Sequence, residues 1–241
     1  MKTYKARGVV LHTLKYGDTS MIVHLLTDLG GRRSYMVQGV RSTRGHGSKL
    51  ALFQPMFAVE FEGLESPRMQ MHRFKEVRSG VVMQSIPFDI RKSTIALFMA
   101  EVLYRLIKES ERNDALFDFV WSSISALDTL DEGVANFHLW FLANLSRMLG
   151  FLPGNRYTEG DWFDISEGLY TPTRPTHTYF MTQDNARTLH DLMECDVRYL
   201  AEIGLNRTQR VDFLNALLSY YGYHLDAIHA VQSVTILQEV F

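Results

Sequence analysis

The stretch Met21-Ile22-Val23-His24-Leu25-Leu26-Thr27-Asp28-Leu29-Gly30-Gly31-Arg32-Arg33-Ser34-Tyr35-Met36-Val37-Gln38-Gly39 reads as a β-hairpin. Its first half is apolar and β-branched, and Asp28-Leu29-Gly30-Gly31 supplies a tight reversal into the second half. Upstream, residues 8–14 predict another strand, set off by the turn Tyr16-Gly17-Asp18-Thr19-Ser20. Downstream, residues 56–63 and 70–77 complete a set of five short strands at spacings of about a dozen residues, a pattern that closes into a small barrel. Residues 48–54, between strands three and four, are apolar enough for a short helical turn. A barrel with an insertion at that point has the layout of the OB-fold; strand counting alone leaves the SH3-like barrel open.

The period changes near Pro87. Ile90, Ile95, Leu97, Phe98, Val102, Leu103, Leu106 and Ile107 recur at helical steps. Asn113 caps a second helix to residue 130, and a third, residues 136–149, is stopped by Gly150 and Pro153. Residues 153–178 hold three prolines and three glycines without periodicity and read as a long loop or irregular insert. Thr182 caps a helix to residue 201, with a break near Cys195; Asn206 caps residues 207–221, and residues 226–240 close the chain. The fold class is therefore α+β, an OB-fold barrel over residues 1–80 followed by a helical bundle over residues 81–241.

The 241 residues, 46% hydrophobic and 22% charged, suffice for one or two globular domains. Net charge is −2, but residues 1–80 carry 13 Lys+Arg against 6 Asp+Glu and the remainder 12 against 21, so +7 faces −9. This asymmetry points to a basic, anion-binding module joined to something different. The single cysteine, Cys195, excludes an internal disulfide and a multi-cysteine metal site. The first residues lack the apolar core of a leader, and no apolar run approaches the ~18 residues of a membrane span. A soluble, cytoplasmic protein is the expectation.

The basic charge concentrates in Gly39-Val40-Arg41-Ser42-Thr43-Arg44-Gly45-His46-Gly47-Ser48-Lys49 and the Arg32-Arg33 pair before it. Strand alternation puts Arg33 and Tyr35 on one face, and a ring beside a guanidinium suits single-stranded nucleic acid. The same spacing equally fits a solvated loop beside a core tyrosine; the +7 balance favours binding. Arg32, Arg33, Tyr35, Arg41, Arg44 and Lys49 are the candidate nucleic-acid-binding residues. A Walker phosphate loop fails on spacing, since Gly45 is followed by His46 rather than Lys. The histidines lack metal-ligand spacing, the acids Asp161, Asp164 and Glu167 read as a solvated loop, and no serine sits in a G-x-S-x-G setting. No catalytic set and no metal site emerges. Residues 137–149 are apolar around much of a helix, which fits the centre of a bundle; a groove for a partner peptide, with Arg147 near its carboxylate, is the alternative.

Several short motifs fall in a familiar order. They are Arg7-Gly8-Val9-Val10-Leu11 with Tyr16-Gly17-Asp18-Thr19-Ser20, Leu29-Gly30-Gly31-Arg32, residues 39–49 running into Leu52-Phe53-Gln54-Pro55, Leu149-Gly150-Phe151-Leu152-Pro153, Gly222-Tyr223-His224-Leu225 and Leu237-Gln238-Glu239-Val240-Phe241. In these the chain resembles the RecO family of bacterial recombination mediators. The resemblance implies an OB-fold and a helical domain, binding to single- and double-stranded DNA, and annealing of complementary strands. It also implies DNA repair in company with RecR and often RecF, which loads RecA onto DNA coated by single-strand binding protein. Docking of that protein's acidic C-terminal tail on the helical domain is implied as well. Many relatives carry a four-cysteine zinc knuckle after the segment matching residues 149–153; this chain has Asn155-Arg156-Tyr157-Thr158-Glu159-Gly160-Asp161-Trp162-Phe163 there and no cysteine. The expectation is no cofactor and no zinc, the insert being held by packing of Tyr157, Trp162, Phe163 and Tyr170. An RNA-binding OB protein and a protein-binding adaptor are the rival readings.

Overall fold

The computed structural model describes residues 2–38, 50–65, 71–108 and 111–241. Five strands come first: β1 (Lys2–Tyr16), β2 (Ser20–Thr27), β3 (Arg32–Val37), β4 (Ala58–Glu65) and β5 (His72–Ser79). They close into a barrel in the order β1-β2-β3-β5-β4, with β3 and β5 parallel. That crossover is OB connectivity and decides between the two barrels that strand counting left open. One long strand serves both neighbours: β1 pairs with β4 through its first half and with β2 through its second, bending at a bulge between Val10 and His12. Inside the barrel, Val10, Val23, Leu25, Tyr35, Val59 and Phe61 form the core, with Tyr35 stacked on Phe74 at 4.6 Å. Gly63 leaves the wall thin where Tyr4 crosses it, since a Cβ there would lie 2.5 Å from the Tyr4 ring.

Six α-helices follow: α1 (Ile90–Leu106), α2 (Asp114–Thr129), α3 (Phe137–Met148), α4 (Gln183–Glu194), α5 (Arg207–His224) and α6 (Ser233–Val240). The caps read from sequence are in place: Asn113 accepts from Leu116 N, Thr182 from Asn185 N, and Asn206 forms a reciprocal box with Gln209. The helix expected to reach residue 201 ends at Cys195, where Asp196 caps a separate 3-10 turn, Val197–Glu202. The last segment likewise divides into a 3-10 turn, Asp226–Ala230, and α6. Helix α3 lies at the centre of the bundle, burying Phe137, His138, Leu139, Phe141, Leu142 and Leu145. Residues 153–178 are not merely irregular. They contain β6 (Trp162–Asp164) and β7 (Leu169–Thr171), which with β8 (Phe180–Met181) make a sheet in the order β7-β6-β8.

Barrel and helices share one core, in which Val9, Leu11, Leu26, Met56 and Ala58 join the helical apolar residues. The connection is also pinned by polar groups. The Asp128 carboxylate, at the end of α2, accepts from the backbone N–H of Gln84, Ser85 and Ile86 at 2.7, 2.9 and 2.8 Å. Buried Lys92 donates to the Asp128 carbonyl and to Ser85 Oγ at 2.9 and 2.8 Å. Arg7 stacks its guanidinium on Phe117 and Trp121 at 5.2 and 5.3 Å. No described helix is long and apolar enough to cross a membrane.

Candidate nucleic-acid interface

Register defines what the barrel shows to the outside. Cross-strand partners share a face, so His12, His24 and Ser34 form one outward row and Leu14, Ile22 and Met36 the next. Tyr16 opposite Ser20 lies one step further, and Arg73 of β5 stands beside Met36. The two ends of this face differ. At the lower end Val9 and Leu26 are buried with the helices, and Tyr104 of α1 covers His12 and His24 at centroid distances of 4.5 and 5.2 Å. At the upper end Leu14 and Tyr16 are 44% and 50% exposed. An open apolar and aromatic strip thus begins where α1 stops.

The described strand ends near Tyr16 lie at that upper end. The β1–β2 turn is adjacent because Met21 pairs with Val37, the last residue of β3. Residues 39–49 follow directly from this strand end, and residues 66–70 precede β5, whose His72 and Arg73 pair with Tyr35 and Met36. Arg41, Arg44 and Lys49 lie outside the described residues. Among the described residues Arg73 has no carboxylate partner, whereas Lys75 and Arg78 on the opposite wall are paired. Lys75 binds Glu62 at 3.0 Å, and Arg78 binds Glu60 through Nε at 3.0 Å.

The other candidates read from sequence are placed differently. Arg33 and Tyr35 do share a face, but it is the interior one. Tyr35 is 0% exposed, bonded to Tyr4 Oη at 3.0 Å, and its ring is not available to stack on a base. Burial, then the bond to Tyr4, holds its hydroxyl far above the usual phenol range. Arg33 donates to the Gly30 carbonyl at 3.2 Å, at the lower rim. Arg32 is outward but tied to the helices: Nη1 donates to Tyr104 O at 2.7 Å and Cζ lies 4.9 Å from that ring. Burial first, and the Arg105 and Arg32 cations second, lower the pKa of His12 and His24 respectively, so both rings are neutral near neutral pH. Tyr16, Leu14, Ile22, Met36 and Arg73 are not among the candidates read from sequence. Continuing the alternation of β1 outward from His12 finds Leu14 and Tyr16, but the parity cannot be fixed without knowing the bulge.

The family models for Recombination protein O N terminal and Recombination protein O C terminal match residues 1–80 and 87–230. The chain belongs to the RecO family. It is similar to the DNA repair protein RecO of Bacteroides fragilis, 42% identical over 239 residues and covering 98% of both chains. The proteins of that name from Phocaeicola vulgatus and Flavobacterium psychrophilum are 37% and 34% identical, each over 98% of both chains. This is a DNA repair protein family, and the barrel and helical region described above are its two parts.

The segment for which the family resemblance raised the question of zinc is held here by hydrogen bonds and packed rings. Asn155 clamps Tyr170, accepting from its N–H at 2.7 Å and donating to its carbonyl at 2.8 Å. Asp161 is buried and accepts from Thr158 N at 2.9 Å, which is a turn-holding role rather than acid–base work. Phe163 packs on Tyr170 and Tyr220 at 5.1 Å each, and Tyr157 on Tyr170 at 5.3 Å. A chain with Cys195 alone cannot supply a thiolate set, and no three His, Cys, Asp or Glu side chains cluster among the described residues. These residues do not fit a zinc knuckle. Beside the sheet a cleft of about 450 Å³ is lined by Arg147, Arg156, Leu152, Tyr157, His190 and Met193. Arg147 is exposed at its edge.

Proposed function

We propose that the chain is a non-enzymatic recombination mediator that holds single- and double-stranded DNA on the barrel and anneals complementary strands. The observation that carries the reading is the strip Leu14, Tyr16, Ile22 and Met36 with Arg73, which has no carboxylate partner among the described residues. Rings and apolar side chains take bases without regard to sequence, and cations take phosphates. Arg41, Arg44 and Lys49 hold the phosphate backbone, while Arg32 and Arg33 add to the positive field. Two strands held by one basic surface meet at raised local concentration, and base pairing completes the annealing.

The helical region supplies the partner contacts. The Arg147–Arg156 cleft, with Leu152, Tyr157 and Met193 as apolar walls and two arginines against Glu194, is the site proposed for the acidic tail of single-strand binding protein. RecR, and with it RecF, joins the complex that loads RecA, and no zinc takes part. The test is annealing of DNA precoated with single-strand binding protein, with and without RecR. The reading predicts annealing by the chain alone on bare strands and RecR-dependent RecA loading on coated ones. Equal or stronger binding to matched RNA would favour an RNA-binding protein. No binding to nucleic acid at low salt, with retained binding to an acidic peptide, would favour an adaptor.

A further inference from the structure

We infer that the outer face of the β7-β6-β8 sheet is a second contact for single-stranded nucleic acid, where a base stacks on Trp162 and Phe180 and Arg174 holds its phosphate. The sheet has two unlike faces. Phe163 pairs with Tyr170 and Met181, and all three are buried in the helical core. Alternation turns their neighbours Trp162 and Phe180 outward. These two rings meet edge to face at 5.4 Å, are only half-buried, and belong to neither hydrophobic core.

Across the ring pair lies exposed Arg174, its Cζ 5.1 Å from the Phe180 centroid and 5.8 Å from that of Trp162. Among the described residues no carboxylate or carbonyl accepts from this guanidinium. The neighbouring acid does not compete for it. Asp164 already accepts from Ser166 N at 2.9 Å, Ser166 Oγ at 2.7 Å and Glu167 N at 3.1 Å, and pairs with His177 Nε2 at 3.0 Å. A planar cation parked on two rings, with all its donors unanswered, combines a stacking platform with a phosphate clamp. An acidic peptide, which presents several carboxylates, would find one free cation here and exposed Glu167 beside it. A nucleotide needs one of each.

None of these residues belongs to the barrel, so the contact is additional to the open strip. It rests on the reading of the chain as a single-strand binder and gives it a second hold. The test uses the full chain with oligothymidylate, read by tryptophan emission and by anisotropy of the labelled oligonucleotide. The expected result is quenching that disappears in Trp162→Phe, and affinity weakened about tenfold in Arg174→Ala and partly restored in Arg174→Lys. Wild-type affinity in Arg174→Ala, with quenching unchanged in Trp162→Phe, would overturn this contact and leave the barrel interface standing. Quenching of Trp162 by an acidic peptide but not by oligothymidylate would overturn it in favour of a protein partner. No binding of any nucleic acid by the wild-type chain would overturn both readings together.

Discussion

The two tyrosines of the barrel show how much turns on one residue's direction. Tyr35 points inward and bonds to Tyr4, whereas Tyr16, on the outward face of β1, is half exposed. Tyr35→Phe should therefore leave single-strand affinity unchanged while costing about 1 kcal/mol of stability by urea unfolding. Tyr16→Ala should do the reverse, weakening oligothymidylate binding by ~1–3 kcal/mol with little effect on unfolding. The opposite pattern would return the interface to Tyr35. A second residue makes a pH prediction. His138 is buried between Phe98 and Phe241, and burial, then the Arg210 cation, lowers its pKa from 6.5 to about 3. Between those values the unfolded chain binds a proton that the folded one refuses, so stability falls as pH falls through this window. His138→Phe should flatten the loss by up to about 1.4 kcal/mol per pH unit between about pH 6 and about pH 4. An unchanged slope in urea titrations would contradict the buried, neutral ring.

Helix ends were legible because their caps are single-residue signals: Asn113, Thr182 and Asn206 each precede an apolar-periodic run and each makes the expected bond. Asn206→Ala should cost about 1 kcal/mol, measured by thermal or urea unfolding, since it opens the box with Gln209. The β7-β6-β8 sheet was not legible. Its strands span two or three residues each, too few for alternation, and its cohesion comes from the Asn155 clamp and packed rings. The packing of Tyr157, Phe163 and Tyr170 could be anticipated from composition; the outward turn of Trp162 could not. The link between barrel and helices was also hidden, because Asp128 lies more than forty residues from the amides it holds. Burial opposes its charge, but those N–H groups win and keep its pKa below 3.8. Asp128→Ala leaves three buried donors without an acceptor and should destabilise the chain by roughly 3 kcal/mol in urea unfolding at neutral pH. The difference should shrink as acid protonates the wild-type carboxylate; a loss below about 1 kcal/mol would mean that the amides find other partners.

At the scale of the molecule, the charge split of +7 over residues 1–80 against −9 over the rest becomes a spatial statement. Helix α1 covers one end of the β1–β2–β3 face, and at the other end Leu14 and Tyr16 are exposed beside Arg73, which has no carboxylate partner among the described residues. The acidic helical region thereby limits where an anion can lie on the barrel. A five-stranded barrel is readable from the strand-like runs, but its OB connectivity rests on the parallel β3–β5 pairing, and the outward face is hidden because the bulge after Val10 resets which residues of β1 point outward. The most direct test of the central claim is single-strand affinity as a function of salt, in the full chain and in Arg41, Arg44 and Lys49 changed together to Ala. With about four phosphate contacts, the wild-type log–log slope should be near −3, and the triple change should reduce its magnitude by about 2. A salt-independent affinity, or a triple variant that binds like the wild type, would contradict the account.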